Sequence, residues 1–184
     1  SLAVYECKKP VIAAINGAAV GIGATMTLPM DVRLASDKAR IGFVFGRIAV
    51  VPEACSTWFL PRIVGLQQAL DWIYAADILT PQQALEGRLV KAVVPHEQLL
   101  AEAHQLAHRW IDGRSAVSIA LMRQMLLRNS ACDHPRDAHA VESLAMLQTS
   151  RHDGKEGVAS FNQKRAPVYT GRASDGLGRF YPWW

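Results

Sequence analysis

An α/β fold with its strands early and its helices late is predicted by three features of this chain. Short continuous apolar runs bounded by turn residues occupy the first half, helix-period patterns occupy the second, and no repeat, low-complexity stretch or linker separates them. Half of the 184 residues are apolar, enough to fill a core. The run 11–15 (Val-Ile-Ala-Ala-Ile) follows Pro10 and stops at Asn16-Gly17, as expected of a strand covered on both faces. Small residues over 17–24 then let backbone approach a ligand or another backbone, and Thr25 to Leu28 can open a helix. Residues 32–35, 41–45 and 89–94 read as further strands, and 46–52 as irregular. A helical pattern over 54–76 breaks near Gly65. Thr80-Pro81 is a hydroxyl N-cap followed by proline, with Gly87 as the stop. Helices are predicted over 96–112, 115–129, 136–150 and 153–164.

Composition narrows the functional classes. The formal charge of +4 arises from 20 basic and 16 acidic residues scattered along the chain, which suits mild attraction to anions and disfavours a nucleic-acid tract. Cys7, Cys55 and Cys132 lie far apart in no metal-ligand spacing, so a reducing, cytoplasmic setting is expected. No apolar run reaches the roughly 18 residues of a membrane span, and the start lacks the pattern of a secretion signal. The chain enters a strand-like run almost at once, so it is expected either to be naturally short or to lack an N-terminal part.

Three stretches carry a recognisable pattern: Lys9-Pro10-Val11-Ile12-Ala13-Ala14-Ile15-Asn16-Gly17, then Gly21-Ile22-Gly23, then Met30-Asp31-Val32-Arg33-Leu34-Ala35-Ser36. In that order and at those separations they resemble the crotonase superfamily, the enoyl-CoA hydratase/isomerase family. The likeness continues through 48–65, 80–94 and 156–165. It implies a crotonase-like spiral of strand-strand-helix turns over 1–94, incomplete at the N-terminus, and a helical trimerisation region over 95–184, the two forming one continuous domain. It also implies an acyl-CoA thioester substrate, with coenzyme A as part of the substrate and no permanently bound cofactor or metal, and a homo-trimer or hexamer. The family holds the thioester oxygen with two backbone N–H groups; the one in the Gly-x-Gly turn falls on Ile22, with Gly21 and Gly23 supplying the turn. Such a donor lowers a barrier by roughly 3–4 kcal/mol. The other donor lies upstream of Ser1, so the isolated chain is expected to be nearly inactive and stable only as an oligomer.

Hydration of an enoyl thioester needs a base for water and an acid for the α-carbon, and the family's hydratases use two glutamates. Their positions fall here on Thr25 and Phe45. Other members of the family, including dienoyl-CoA isomerases and chlorobenzoyl-CoA dehalogenases, resemble this arrangement by placing a working aspartate at about the position of Glu53, which the resemblance therefore makes the candidate acid–base group. The alternative is a carboxylate favoured in the first turn of a helix beginning near Ala54, worth roughly 0.3–1 kcal/mol. One carboxylate beside an enolate suits double-bond isomerisation, which takes a proton from one carbon and returns it to another; a one-glutamate hydratase stays open. The rival is a non-catalytic crotonase-fold subunit or an inactive fragment; an RNA-binding member would need a lysine-rich helical comb that the sequence lacks.

His104 and His108 have zinc-pair spacing, but Gln105 stands where the glutamate of a metalloprotease would be, and both point away from the stripe of Leu99, Ala103, Leu106 and Trp110. Asp31 is read as a structural hydrogen-bonding carboxylate. Phe161 and Lys164, three apart on the final helix and hence on one face, match the pair with which the family reaches the coenzyme A of a neighbouring subunit. Residues 115–129 carry more apolar surface than a helix with one covered side needs. The aromatic end, Phe180 to Trp184, is expected either to cover a subunit interface or to be disordered.

Overall fold

The computed structural model describes residues 1–184. They fall into two compact units, residues 1–5 with 11–106 and residues 6–10 with 107–184. In the first, a helical turn, α1 (Leu2–Tyr5), is followed by β1 (Ile12–Ile15), β2 (Ala18–Val20), the short helix α2 (Ile22–Thr25), β3 (Val32–Ser36) and β4 (Arg40–Gly42). Consecutive strands go to different sheets. β1 pairs parallel with β3, and β2 parallel with β4. The turn β1–β2–α2 is thus followed by β3–β4 stacked upon it, which is the predicted spiral of strand-strand-helix turns. Its corners are held by polar contacts: Ser36 Oγ donates to the Asn16 carbonyl at 3.0 Å and the Arg40 N–H to the Gly17 carbonyl at 3.1 Å.

Several boundaries differ from the sequence expectation. Residues 18–20, read from the sequence only as small residues that permit a close backbone approach, form a strand because pairing to β4 absorbs their backbone groups. The run 11–15 is not evenly covered; Ala13 and Ile15 are buried while Ile12 and Ala14 are half-buried, and β1 is an edge strand with a groove of about 280 Å³ beside it. The strand expected over 41–45 ends at Gly42, which has no side chain to pack in a ladder, and Val44–Ile48 winds into a 3-10 helix. Only Ala92–Val94 of the run 89–94 pairs, as β6 on β3. Leu89 and Val90 are buried, but their N–H groups turn back to the Ala84 carbonyl, so their apolarity reflects core burial and not a ladder.

The helices of this unit follow the expected signals. α3 (Ser56–Val64) and α4 (Leu66–Ala75) are separated by Gly65 at φ 84°, a left-handed value that suits glycine. A short strand, β5 (Ile78–Leu79), that the sequence did not reveal pairs antiparallel with β4. α5 (Pro81–Glu86) starts with a capping box: Thr80 Oγ1 accepts from the Gln83 N–H at 3.2 Å, and Gln83 Oε1 accepts from the Thr80 N–H at 2.8 Å. The boundary between the units falls within α6 (Leu99–Ile111).

The second unit contains α7 (Ala116–Asn129), α8 (Pro135–Arg151) and α9 (Asp153–Asn162) around Val117, Ala120, Leu121, Ala145 and Leu177. Polar side chains do much of its joining. From α7, Arg123 Nη1 and Gln124 Nε2 both donate to the Cys7 carbonyl, at 2.5 and 2.9 Å. The aromatic end is ordered against its own chain: the Arg128 guanidinium lies 3.1 Å from the centre of a Trp184 ring, and Lys8 lies over Tyr181 at 5.2 Å.

Candidate functional site

Gly21 turns the chain from β2 into α2 with φ 58° and ψ −122°, a conformation open to glycine and strained for other residues. Its N–H donates to the Gly42 carbonyl at 2.9 Å, and its carbonyl accepts from the N–H groups of Ala24 and Thr25 at 3.0 Å each. The Ile22 N–H, first in the helix, is used by no backbone acceptor. Ile22 itself is exposed. Gly23 corrects the expectation that two glycines make the turn. It is already helical, and a Cβ there would meet nothing within 4 Å, so Gly21 makes the turn alone and Gly23 leaves open space over the helix.

Thr25, at the end of α2, is fully buried. Its hydroxyl lies 3.3 and 3.4 Å from the carbonyls of Gly21 and Ile22 but 2.5 Å from Glu53 Oε1. A hydroxyl has one proton to give, and the shortest contact, at the length of an O–H···O⁻ bond, identifies Glu53 as its acceptor. Glu53 thereby stands against the residue that occupies the first hydratase-glutamate position of the resemblance. No hydrogen bond engages its second oxygen, Oε2.

Backbone strain supports that placement. Glu53 opens a four-residue turn closed by the Ser56 N–H donating to the Glu53 carbonyl at 2.9 Å, and both central residues, Ala54 (φ 56°) and Cys55 (φ 59°), are left-handed. Turns of this mirror-image kind favour glycine, asparagine or aspartate. Ala49 (φ 57°) is left-handed too, which puts three such residues in the segment leading into and out of Glu53. Each costs on the order of 1 kcal/mol or more, and strain of this kind clusters at functional sites. The turn also disposes of the alternative reading of Glu53: α3 begins at Ser56, so the carboxylate is not in its first turn.

Arg33 secures the segment behind the site. Buried in β3, it donates through Nη1 to the carbonyls of Thr27, Leu28 and Met30 (2.9, 3.2 and 2.8 Å) and through Nε to that of Leu89 at 2.8 Å. Burial lowers its pKa to about 10, opposed by the nearby Asp31, so it stays charged at neutral pH. Asp31 is structural as expected: Oδ2 accepts from the Val11 N–H at 2.7 Å while the Asp31 N–H returns to the Val11 carbonyl at 2.8 Å.

The other candidates resolve separately. Phe45 is buried in the core, so the second hydratase-glutamate position holds packing. His104 and His108 are exposed on α6, away from Leu99, Leu106 and Trp110, and His108 Nδ1 lies 3.2 Å from Asp112. Phe161 and Lys164 do not share a helix face. α9 ends at Asn162, and Lys164 adopts φ 52°, because the chain leaves the helix through a turn in which the Lys164 N–H returns to the Phe161 carbonyl at 3.2 Å. Both side chains are exposed. The Thr25–Glu53 contact is the feature that sequence reasoning missed: the two residues are 28 positions apart and neither type signals a pairing.

Comparison with known proteins bears on this geometry. The sequence model of the family described as enoyl-CoA hydratase/isomerase matches residues 1–172. An enoyl-CoA hydratase of Alternaria alternata is 38% identical over 172 residues, covering 92% of this chain and 57% of its own length. A 1,2-epoxyphenylacetyl-CoA isomerase of Escherichia coli is 33% identical, with coverages of 89% and 62%. Among solved structures, an enoyl-CoA hydratase from Bacillus anthracis superposes with a TM-score of 0.86 at 32% identity, covering 92% of this chain and 65% of the other. The chain spans about three-fifths of the length of the curated relatives it matches.

Proposed function

The chain belongs to the enoyl-CoA hydratase/isomerase family, and from that premise we propose that the protein it represents is an enoyl-CoA isomerase using a single carboxylate. The observation that carries this reading is the Thr25–Glu53 hydrogen bond beside the unused Ile22 N–H. The thioester oxygen accepts a hydrogen bond from Ile22, which stabilises the negative charge that develops there. Glu53 removes a proton from the α-carbon of a 3-enoyl thioester, and the C–H electron pair delocalises into a dienolate. The same carboxyl returns the proton to the γ-carbon, leaving the 2-enoyl thioester and the carboxylate as it began. Thr25 holds one oxygen of Glu53 by donation, so the other is aimed and available.

Hydration is the second reading, favoured by relatives that are 38% and 39% identical and named enoyl-CoA hydratases. It requires the Glu53 carboxyl to serve both water and the α-carbon, since Thr25 and Phe45 stand at the two positions of the usual pair. Assay of the protein with 3-enoyl and 2-enoyl thioesters decides. Double-bond migration supports the isomerase, water addition alone replaces it with the hydratase, and inertness toward both leaves a non-catalytic subunit.

Assembly and location belong to the same proposal. α7 and α8 expose Met122, Leu126, Leu144, Met146 and Leu147, which suits a trimer or hexamer, with exposed Phe161 and Lys164 free to meet coenzyme A. Cys7, Cys55 and Cys132 are free thiols, consistent with a reducing cytoplasm. No helix is long and apolar enough to cross a membrane.

A further inference from the structure

We propose that Arg33 is a positioning residue for the reaction: by gripping the far end of the helical stretch that begins at Ile22, it fixes where the Ile22 N–H points. This rests on the reading that the Ile22 N–H meets the thioester oxygen, and it adds the group that holds this donor in place. Every hydrogen bond of the Arg33 side chain goes to a backbone carbonyl, so it acts through the chain and not on the ligand. Three observations carry the inference. The first is that α2, at four residues, is a single turn, which is unstable by itself. Its hydrogen bonding runs on past Thr25: the N–H groups of Thr27, Leu28 and Met30 donate to the carbonyls of Ala24, Thr25 and Thr27 at 3.1 Å each, so residues 22–30 form one series of turns.

The second is that this series is tied at both ends. At the front, the Gly21 N–H donates to the Gly42 carbonyl at the end of β4, at 2.9 Å. At the back, Arg33 Nη1 donates to the carbonyls of Thr27, Leu28 and Met30, where a helix leaves its acceptors unpaired and where a cation is favoured. The third is that Arg33 is itself fixed. It sits in β3, the middle strand of its sheet, in register with Ala13 of β1, and its carbonyl accepts from the Lys91 N–H at 2.8 Å. Nε is committed to the Leu89 carbonyl at 2.8 Å, which sets the plane of the guanidinium. A rigid planar fork fixes distance and direction together, which a lysine ammonium on a flexible stem does not. A donor aimed before the reaction begins is what stabilises developing charge, and a displacement of about 1 Å in such a group costs on the order of a hundredfold in rate.

The test compares Arg33→Lys with the parent protein in two readouts, each corrected to the folded fraction measured by circular dichroism. In steady-state assay with the enoyl thioester that the protein turns over, kcat should fall at least about tenfold while KM stays within about twofold, the pattern of an interaction made in the transition state. In infrared difference spectra of butanoyl-CoA labelled with carbon-13 at its carbonyl, binding to the parent should draw the C=O stretch to lower frequency, and the variant should lose at least about half of that displacement. Arg33→Gln, which keeps two N–H donors and buries no charge, carries the same test with the same expected losses where the lysine variant is too unstable. A variant that lowers the urea midpoint yet keeps kcat per folded molecule and the carbonyl displacement makes Arg33 a purely structural residue and overturns this inference alone. A parent protein that binds the thioester with no displacement overturns the role given to Ile22, and this inference with it.

Discussion

Glu53 in the first unit and Asp153 and Glu156 in the second are held in opposite ways. In the second, Asp153 is buried and saturated: Oδ2 accepts from the Ser115 hydroxyl at 2.6 Å and Oδ1 from the Gly171 N–H at 3.2 Å. Glu156 is held by Arg165 through both oxygens, at 2.5 and 2.8 Å, and also accepts from the Val168 N–H at 2.8 Å. In the first, Glu53 is exposed, has one donor and keeps Oε2 unengaged on a strained turn. A carboxylate whose oxygens are all committed can only hold structure together. One held by a single donor can exchange a proton with a ligand, and strain kept around it shows what the surrounding fold tolerates to place it.

The largest expected effect tests the open carboxylate. Glu53→Gln keeps the shape and removes the titrating group, so turnover should fall at least about a hundredfold, while the urea midpoint moves little because Glu53 is exposed. Turnover unchanged in steady-state assay would erase the distinction between the units. Asp153→Ala is the counterpart. It leaves the Ser115 hydroxyl and Gly171 N–H without their acceptor and should cost about 2–3 kcal/mol in urea unfolding, with turnover per folded molecule preserved.

A smaller effect isolates Thr25. Thr25→Val conserves its buried shape and removes the donor to Glu53, so kcat should fall roughly tenfold, about the worth of one charge-assisted hydrogen bond, with KM held and Thr25→Ser restoring activity. A matching loss in Thr25→Ser would mean that packing, and not the hydroxyl, matters. The smallest effect is acid titration. Arg165 and the Val168 N–H lower the Glu156 pKa from 4.5 to about 2. A folded-state value below the unfolded one contributes stability above about pH 4.5 that is lost as pH falls toward 2. NMR titration should find the Glu156 carboxyl and the Val168 amide moving together near pH 2; an ordinary midpoint would show that the hold is not made.

How legible this was depended on how far apart the cooperating residues lie. The Thr80 N-cap with Pro81 behind it and the Gly65 break were read directly, since each is set by residues a few positions apart, whereas the capping box that Gln83 completes and the Ser115 cap appeared only in the structure. The edges of the strands were not readable either. β2 is three residues of Ala-Ala-Val that become a strand only against β4, and Leu89-Val90 look like strand but serve the core. The shared face given to Phe161 and Lys164 failed for a related reason: α9 stops at Asn162, and where a helix frays is set by the tail it meets, including Arg165 and Val168 fastened to Glu156.

By itself the sequence determined the spiral, the glycine at the turn into α2, and Glu53 as the carboxylate to watch, because these follow from local conformation and from an ordered motif series. Only the tertiary structure decided what Glu53 does with its oxygens. That Thr25 is its donor, that Phe45 is core and that Oε2 stays unengaged are consequences of segments 28 residues apart brought within 2.5 Å. Contacts of that range are made by burial of the strands and helices between them, and no spacing along the chain records which side chains the burial brings to face each other.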